Sequence, residues 1–297
     1  MKTLRGLAVL GRTIAIAAVL ALLSSAGACA KEDYSKTPVF FVHGHGMSPE
    51  SFNPMIAHLK KAGYPRFYLR AIHLQPNTGA NIEAAQNQIF PAIEKDLSEI
   101  NTYLEKKRPD LAPKNRVDLV SHSMGGLSSR WYAAKLRPDR IRVWLSLAGA
   151  NHGSDALCPY GDPGARDLCP AYAKDEKESY IQYRLNGKPH IPDVDETPFG
   201  VGADSRGVQS VPPDASRRIL YVTVRTSPDS WLVPEDTAVL DGAGAAELLL
   251  LTGIRARETS PGNYLMMNGV GHDAILADAD VLKLVESILA RAERLLG

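Results

Sequence analysis

The chain has 297 residues, of which 44% are hydrophobic and 23% charged, enough for one large domain with a substantial core. Its formal net charge is +1 and it carries no block of basic residues. That excludes the electrostatic footprint of a nucleic-acid-binding protein. The first 30 residues have the design of an export signal. Lys2 and Arg5 precede the apolar stretch Ile14 to Leu23, and small residues run from Ser24 to Ala30. The apolar run is too short to span a bilayer comfortably. Ala28-Cys29-Ala30 fits a cleavage site, so the preferred expectation is a secreted or periplasmic protein with no integral membrane span. The alternative is a lipoprotein anchored through Cys29, for which Ala26 is a poor match. Removing residues 1–30 leaves 31 basic against 33 acidic residues, a formal charge of −2.

Residues 31–297 read as one α/β domain. Pro38 to Val42 predicts a strand ending in His43-Gly44-His45-Gly46, and Ser51 to Ala62 predicts a helix. Asn77 to Lys107 has long helical periodicity that Pro91 must kink or split. Arg116 to Val120 is a strand, Leu127 to Leu136 a helix stopped by Pro138, and Arg140 to Leu147 another strand. Arg218 to Arg225 and Tyr264 to Met267 follow as strands, then Asp278 to Leu296 as an amphipathic helix. Strands alternating with helices imply a mostly parallel sheet wrapped by helices. Two segments break the alternation: 151–214 is loop-rich, and 241–263 carries an apolar patch, Leu248 to Leu251. Both read as cap or lid insertions on connections where α/β folds build their binding sites.

Cys158 and Cys169 lie 11 apart in a Pro/Gly-rich loop. With Cys29 removed or lipidated they form an even pair, and a disulfide between them is the expectation in an oxidising compartment. Two cysteines are too few for a metal site. No metal-ligand spacing is visible elsewhere, and no cofactor is expected.

The chemistry centres on Val117-Asp-Leu-Val-Ser-His-Ser-Met-Gly-Gly. A strand, a sharp turn at Ser123 and a helix make the geometry of a nucleophile elbow. Ser121 stands where the Gly-x-Ser-x-Gly pattern has its first glycine, and it is small enough for the close approach of strand and helix. A serine hydroxyl is a weak nucleophile and needs a base, itself oriented by a carboxylate. Of the eight histidines, His272 sits in a Gly-rich loop after the last strand. His152 and His190 fall in the loop-rich region. Asp229 is the first carboxylate after the 218–225 strand, with Glu235 and Asp236 as backups. Ser123, Asp229, His272 is the chain order of an α/β-hydrolase triad. The backbone N–H groups of Met124 and His45 are the expected oxyanion donors, the His45 side chain being a rim residue.

These motifs resemble those of bacterial extracellular lipases of the α/β-hydrolase superfamily, the small Bacillus-type lipases in particular. Pro38-Val-Phe-Phe-Val-His-Gly-His-Gly with Ser51-Phe-Asn is similar to their oxyanion strand and loop, and the segment around Ser123 to their elbow, where Ala often replaces the first glycine. Ala148-Gly-Ala-Asn-His-Gly, Asp195-Glu-Thr-Pro, Thr226-Ser-Pro-Asp, Leu240-Asp-Gly-Ala and Gly269-Val-Gly-His follow in collinear order. The resemblance implies the same triad, Ser123, Asp229 and His272, and a hydrophobic ester substrate, acylglycerols foremost, met at a lipid–water interface. A polyester depolymerase or an acyltransferase would use the same residues. A non-enzymatic binding protein would be missing a triad member, and none is missing.

Overall fold

In the computed structural model the described residues are 30–189, 193–202, 210, 217–244 and 253–296. The segment before Ala30 expected to be an export signal, with Cys29, and His190 and the Leu248 to Leu251 patch lie outside them. Three strands are buried along their whole length: Val39–Val42 (β1), Val117–His122 (β3) and Ile141–Leu147 (β4). A strand covered on both faces needs no polar alternation, so these segments read as continuous apolar runs. Leu220–Arg225 (β5) behaves alike until Arg225. With Leu69–Ile72 (β2), Ala256–Ser260 (β6) and Asn263–Met266 (β7) they form a seven-stranded sheet in the order β2-β1-β3-β4-β5-β7-β6. Every pairing is parallel except β6 with β7.

The two strands absent from the sequence reading are the two edges. Leu-Arg-Ala-Ile is too short and mixed to show a pattern, and Ala-Arg-Glu-Thr-Ser carries the charges that a solvent-facing edge strand tolerates. Residues 256–260 thus belong to the sheet, although they fall within the segment read as an insertion.

Helices cover both faces. Asn53–Lys61 (α1) follows a 3-10 turn. The long periodic stretch divides into Asn81–Ala84 (α2), a π-helical turn Ala85–Ile89, and Phe90–Lys107 (α3). Pro91 sits in the first turn of α3, where its missing N–H is accommodated by the wider turn before it. Met124–Trp131 (α4) packs on β1, β3 and β4. Pro163–Leu168 (α5) and Tyr180–Asn186 (α6) are short helices within the loop-rich region. Ala279–Leu296 (α7) buries Val281, Leu284, Val285, Ile288, Leu289 and Ala292 and packs on β4 and α1. Inside this frame lies a buried charge cluster. Asp118 on β3 is fully buried and accepts from Arg142 Nε at 2.9 Å, and Arg142 also reaches Glu293 of α7 at 2.7 Å. Among the described residues no helix is long and apolar enough to cross a membrane.

Because β1, β3, β4, β5 and β7 run parallel, their C-terminal ends meet at one edge of the sheet. The five loops leaving that edge carry the residues described next.

Candidate active site

Ser123 follows β3 directly and caps α4. Its backbone is in the left-handed region, φ 52° and ψ −127°, a strained position for a residue with a Cβ and one that clusters at functional sites. The turn is held from both sides. Ser123 N–H donates to Leu147 O at 3.1 Å, and Gly126 N–H returns to Ser123 O at 2.9 Å. Only glycine fits at 125, where a Cβ would stand 2.4 Å from Val42 O. Ser121 is buried and donates to Leu145 O at 3.2 Å, so the serine in place of glycine is satisfied within the sheet.

His272 arrives on the loop after β7. Its Nε2 lies 2.9 Å from Ser123 Oγ and its Nδ1 2.9 Å from Asp229 Oδ2. Asp229 leaves β5 through the Thr226–Pro228 turn. Its other oxygen, Oδ1, accepts from Trp231 N–H at 2.8 Å and Leu232 N–H at 3.0 Å. Burial by itself would raise the Asp229 carboxyl. The hydrogen bond and charge of His272 and the two backbone N–H donors outweigh it and hold the group below the usual carboxylate range. Glu235 stands behind Asp229 and accepts its N–H at 2.9 Å. Asp236 lines a different cavity.

The His43–Met47 loop passes so close that a Cβ on Gly44 would lie 2.8 Å from Ser123 Cβ. Among the described residues the backbone N–H groups of His45 and Met124 are given to no protein acceptor. The His45 ring crosses to Asp162 at 2.9 Å. The cleft above Ser123 encloses about 90 Å³ and is walled by Met47, Ala150, Leu157, Leu168 and Trp231. Beside it Trp231 and Tyr160 are exposed, their rings 6.0 Å apart. Cys158 and Cys169 are disulfide-bonded and close the loop that carries Tyr160 and Leu168, with Leu157 just before it.

Several groups around the site carry no signal in a one-dimensional reading. His122 is fully buried, and its Nε2–H donates to the His272 carbonyl at 2.9 Å, fixing the loop of the next-door histidine. Burial drives its pKa down to about 3, so the ring is neutral. His43 is also buried and held below its ordinary pKa by burial. Its Nε2 accepts from Leu74 N–H at 3.1 Å. His122, His272 and Asp273 bring ligand-type atoms within 4.8 Å of one another, but both rings are already engaged as described. His152 bonds Thr237 O and Glu196, and Glu196 also accepts from Asp241 N–H at 2.9 Å. The Asp195–Thr197 stretch therefore ties loops together. A cavity of about 340 Å³ lies beside His152, Tyr172, Glu196 and Asp236. It is larger than the cleft at Ser123, but its lining offers no nucleophile paired with a base, so size does not make it the centre of the chemistry.

A seven-stranded, mostly parallel sheet with Ser, His and Asp converging on loops at one edge defines an ester-cleaving hydrolase of the α/β-hydrolase class. Within that class the chain belongs to the palmitoyl protein thioesterase family, whose model matches residues 38–186. Among solved structures it is similar to the mature form of a Bacillus licheniformis lipase. The two are 15% identical, the match covers 88% of this chain and 95% of the other, and the TM-score is 0.51. Aspergillus fumigatus lipase B is 14% identical over 90% of this chain and 64% of its own, with a TM-score of 0.49.

Proposed function

We propose that the protein is a secreted serine hydrolase of hydrophobic carboxylic esters, acylglycerols foremost. The observation that carries this reading is the pair of 2.9 Å links joining Ser123 Oγ to His272 and His272 to Asp229. Ser123 Oγ attacks the ester carbonyl and passes its proton to His272 Nε2. Asp229 holds the Nδ1–H and steadies the imidazolium that results. The tetrahedral oxyanion is met by the N–H groups of His45 and Met124. Collapse expels the alcohol, which takes the proton from His272. Water then repeats the sequence on the acyl-enzyme and frees the acid and Ser123.

The cleft volume bears on the acyl group. The cleft is small, about 90 Å³, which favours a short acyl chain inside it and an opening past Trp231 for anything longer. A second reading draws on that opening. Exposed Trp231 and Tyr160 favour a substrate larger than the cleft, such as an extracellular polyester laid across it. The family's name points to acyl thioesters, which the same mechanism would cleave with a thiol as leaving group. The disulfide supports export to an oxidising compartment.

Replacement of Ser123 by Ala is expected to lower hydrolysis of p-nitrophenyl butyrate by at least about 10³-fold, with the melting temperature almost unchanged. Retained turnover would refute the nucleophile. Rates on tributyrin, trioctanoin, butyryl thiocholine and polyhydroxyalkanoate film then rank the substrate classes.

A further inference from the structure

His45 occupies an unusual place in the loop after β1. Its neighbours are tied down by main-chain bonds: Met47 N–H to Gly44 O at 3.2 Å, and Gly46 N–H to Asn77 O at 3.0 Å. Asn77 Nδ2 in turn donates to Met47 O at 3.0 Å. His45 itself sits between two glycines, Gly46 having φ +70°. Its side chain adds a further tie. His45 Nε2 reaches both carboxylate oxygens of Asp162, at 2.9 and 3.0 Å.

Asp162 stands on a braced platform. Its Oδ1 caps α5 by accepting from Ala165 N–H at 3.0 Å. Gly164 N–H donates to Thr78 O at 2.9 Å. Gly164 also packs so tightly on the other half of the site that a Cβ there would lie 2.6 Å from Met124 Sδ. The disulfide closes the loop on either side of this platform. The same short helix and its cap therefore touch the side chains of His45 and Met124, the two residues assigned above as oxyanion donors.

We propose that Asp162 is a positioning residue of the oxyanion hole. It clamps the His45 side chain so that the His45 N–H keeps a fixed distance from the Met124 N–H. The inference rests on the oxyanion roles assigned under the proposed function. A donor displaced by about 1 Å loses much of its stabilisation of the transition state while leaving ground-state binding almost untouched.

The test uses p-nitrophenyl butyrate and a trifluoromethyl ketone that forms a tetrahedral adduct on the serine. Asp162→Ala is expected to lower kcat by about 10- to 100-fold, less than outright loss of a donor, with KM within about twofold. Affinity for the ketone should fall by the same factor as kcat/KM. Asp162→Asn keeps an acceptor for both His45 Nε2–H and Ala165 N–H and should recover activity to within about threefold. His45→Ala breaks the clamp from the other side while leaving the cap on α5 intact. It should reproduce the loss, and the double variant should be no worse than either single one. Parent-like kcat in Asp162→Ala, or additive losses in the double variant, would overturn the positioning role while leaving the triad standing, provided Ser123→Ala is inactive. Activity surviving in Ser123→Ala would overturn both.

Discussion

His122 illustrates how much one buried side chain contributes beside a reactive one. Its ring spends no proton on chemistry, yet it holds the His272 carbonyl. A folded-state pKa near 3 against about 6.5 in the unfolded chain sets the sign of its pH dependence. Above about pH 6.5 both states are neutral at this site and the full contribution is present. As the pH falls from there toward 3, the unfolded chain takes up a proton that the folded chain refuses, and stability drains away. Denaturant titrations at pH 7 and pH 4 should show the parent losing on the order of 3 kcal/mol more than His122→Asn across that interval. Equal losses would contradict a neutral buried ring. The sequence points to the proposed triad more readily than to this supporting residue. Ser123, Asp229 and His272 stand next to glycines, prolines and strand ends, which punctuate a sequence visibly. His122, His43 and Asp162 owe their roles to what lies across the fold from them, and nothing in their own neighbourhood announces it. The Ser121 departure from the usual pattern also finds its reason only in three dimensions, where its hydroxyl is absorbed by Leu145 O.

At the level of elements, reading the chain worked best where burial is complete. β1, β3, β4 and β5 were legible because both faces are covered and the apolar runs are uninterrupted. The edge strands β2 and β6 were not, since an edge carries charge and has one partner. The loop-rich region after β4 was read as irregular, and it contains α5 and α6, whose caps Asp162 and Ser179 bond Ala165 and Gln182 N–H respectively. Helices this short depend on their caps rather than on periodicity, and α5 also lies inside the crosslinked loop. Closing a 12-residue loop lowers the entropy of the unfolded chain by about 3 kcal/mol at 25 °C. Replacing both Cys158 and Cys169 by Ser should therefore reduce unfolding free energy by about 2–4 kcal/mol in denaturant melts. Because Leu157 and Leu168 wall the cleft, the same variant should also raise KM for p-nitrophenyl butyrate. A variant as stable as the parent would mean the loop is already ordered when reduced.

The whole molecule is pinned through Asp118, Arg142 and Glu293, which join β3, β4 and α7. Burial pushes the Asp118 carboxyl up, and the adjacent guanidinium opposes it. Removing one partner strands the other charge in the core. Asp118→Ala should cost about 3–5 kcal/mol, read as a lowered midpoint of thermal or urea unfolding. At temperatures where it remains folded, kcat should stay close to the parent, because no part of this cluster enters the cleft. A matching fall in kcat would show that the cluster reaches the site.

Ser123 and His272 are 149 residues apart in the chain. On the proposed roles a polypeptide still being synthesised therefore carries its nucleophile long before its base exists. Until β7 has joined the sheet and brought its loop round, the hydroxyl has nothing to take its proton. On those roles the growing chain is inert toward esters. Hydrolytic activity then reports the completed fold, arriving with the last strand.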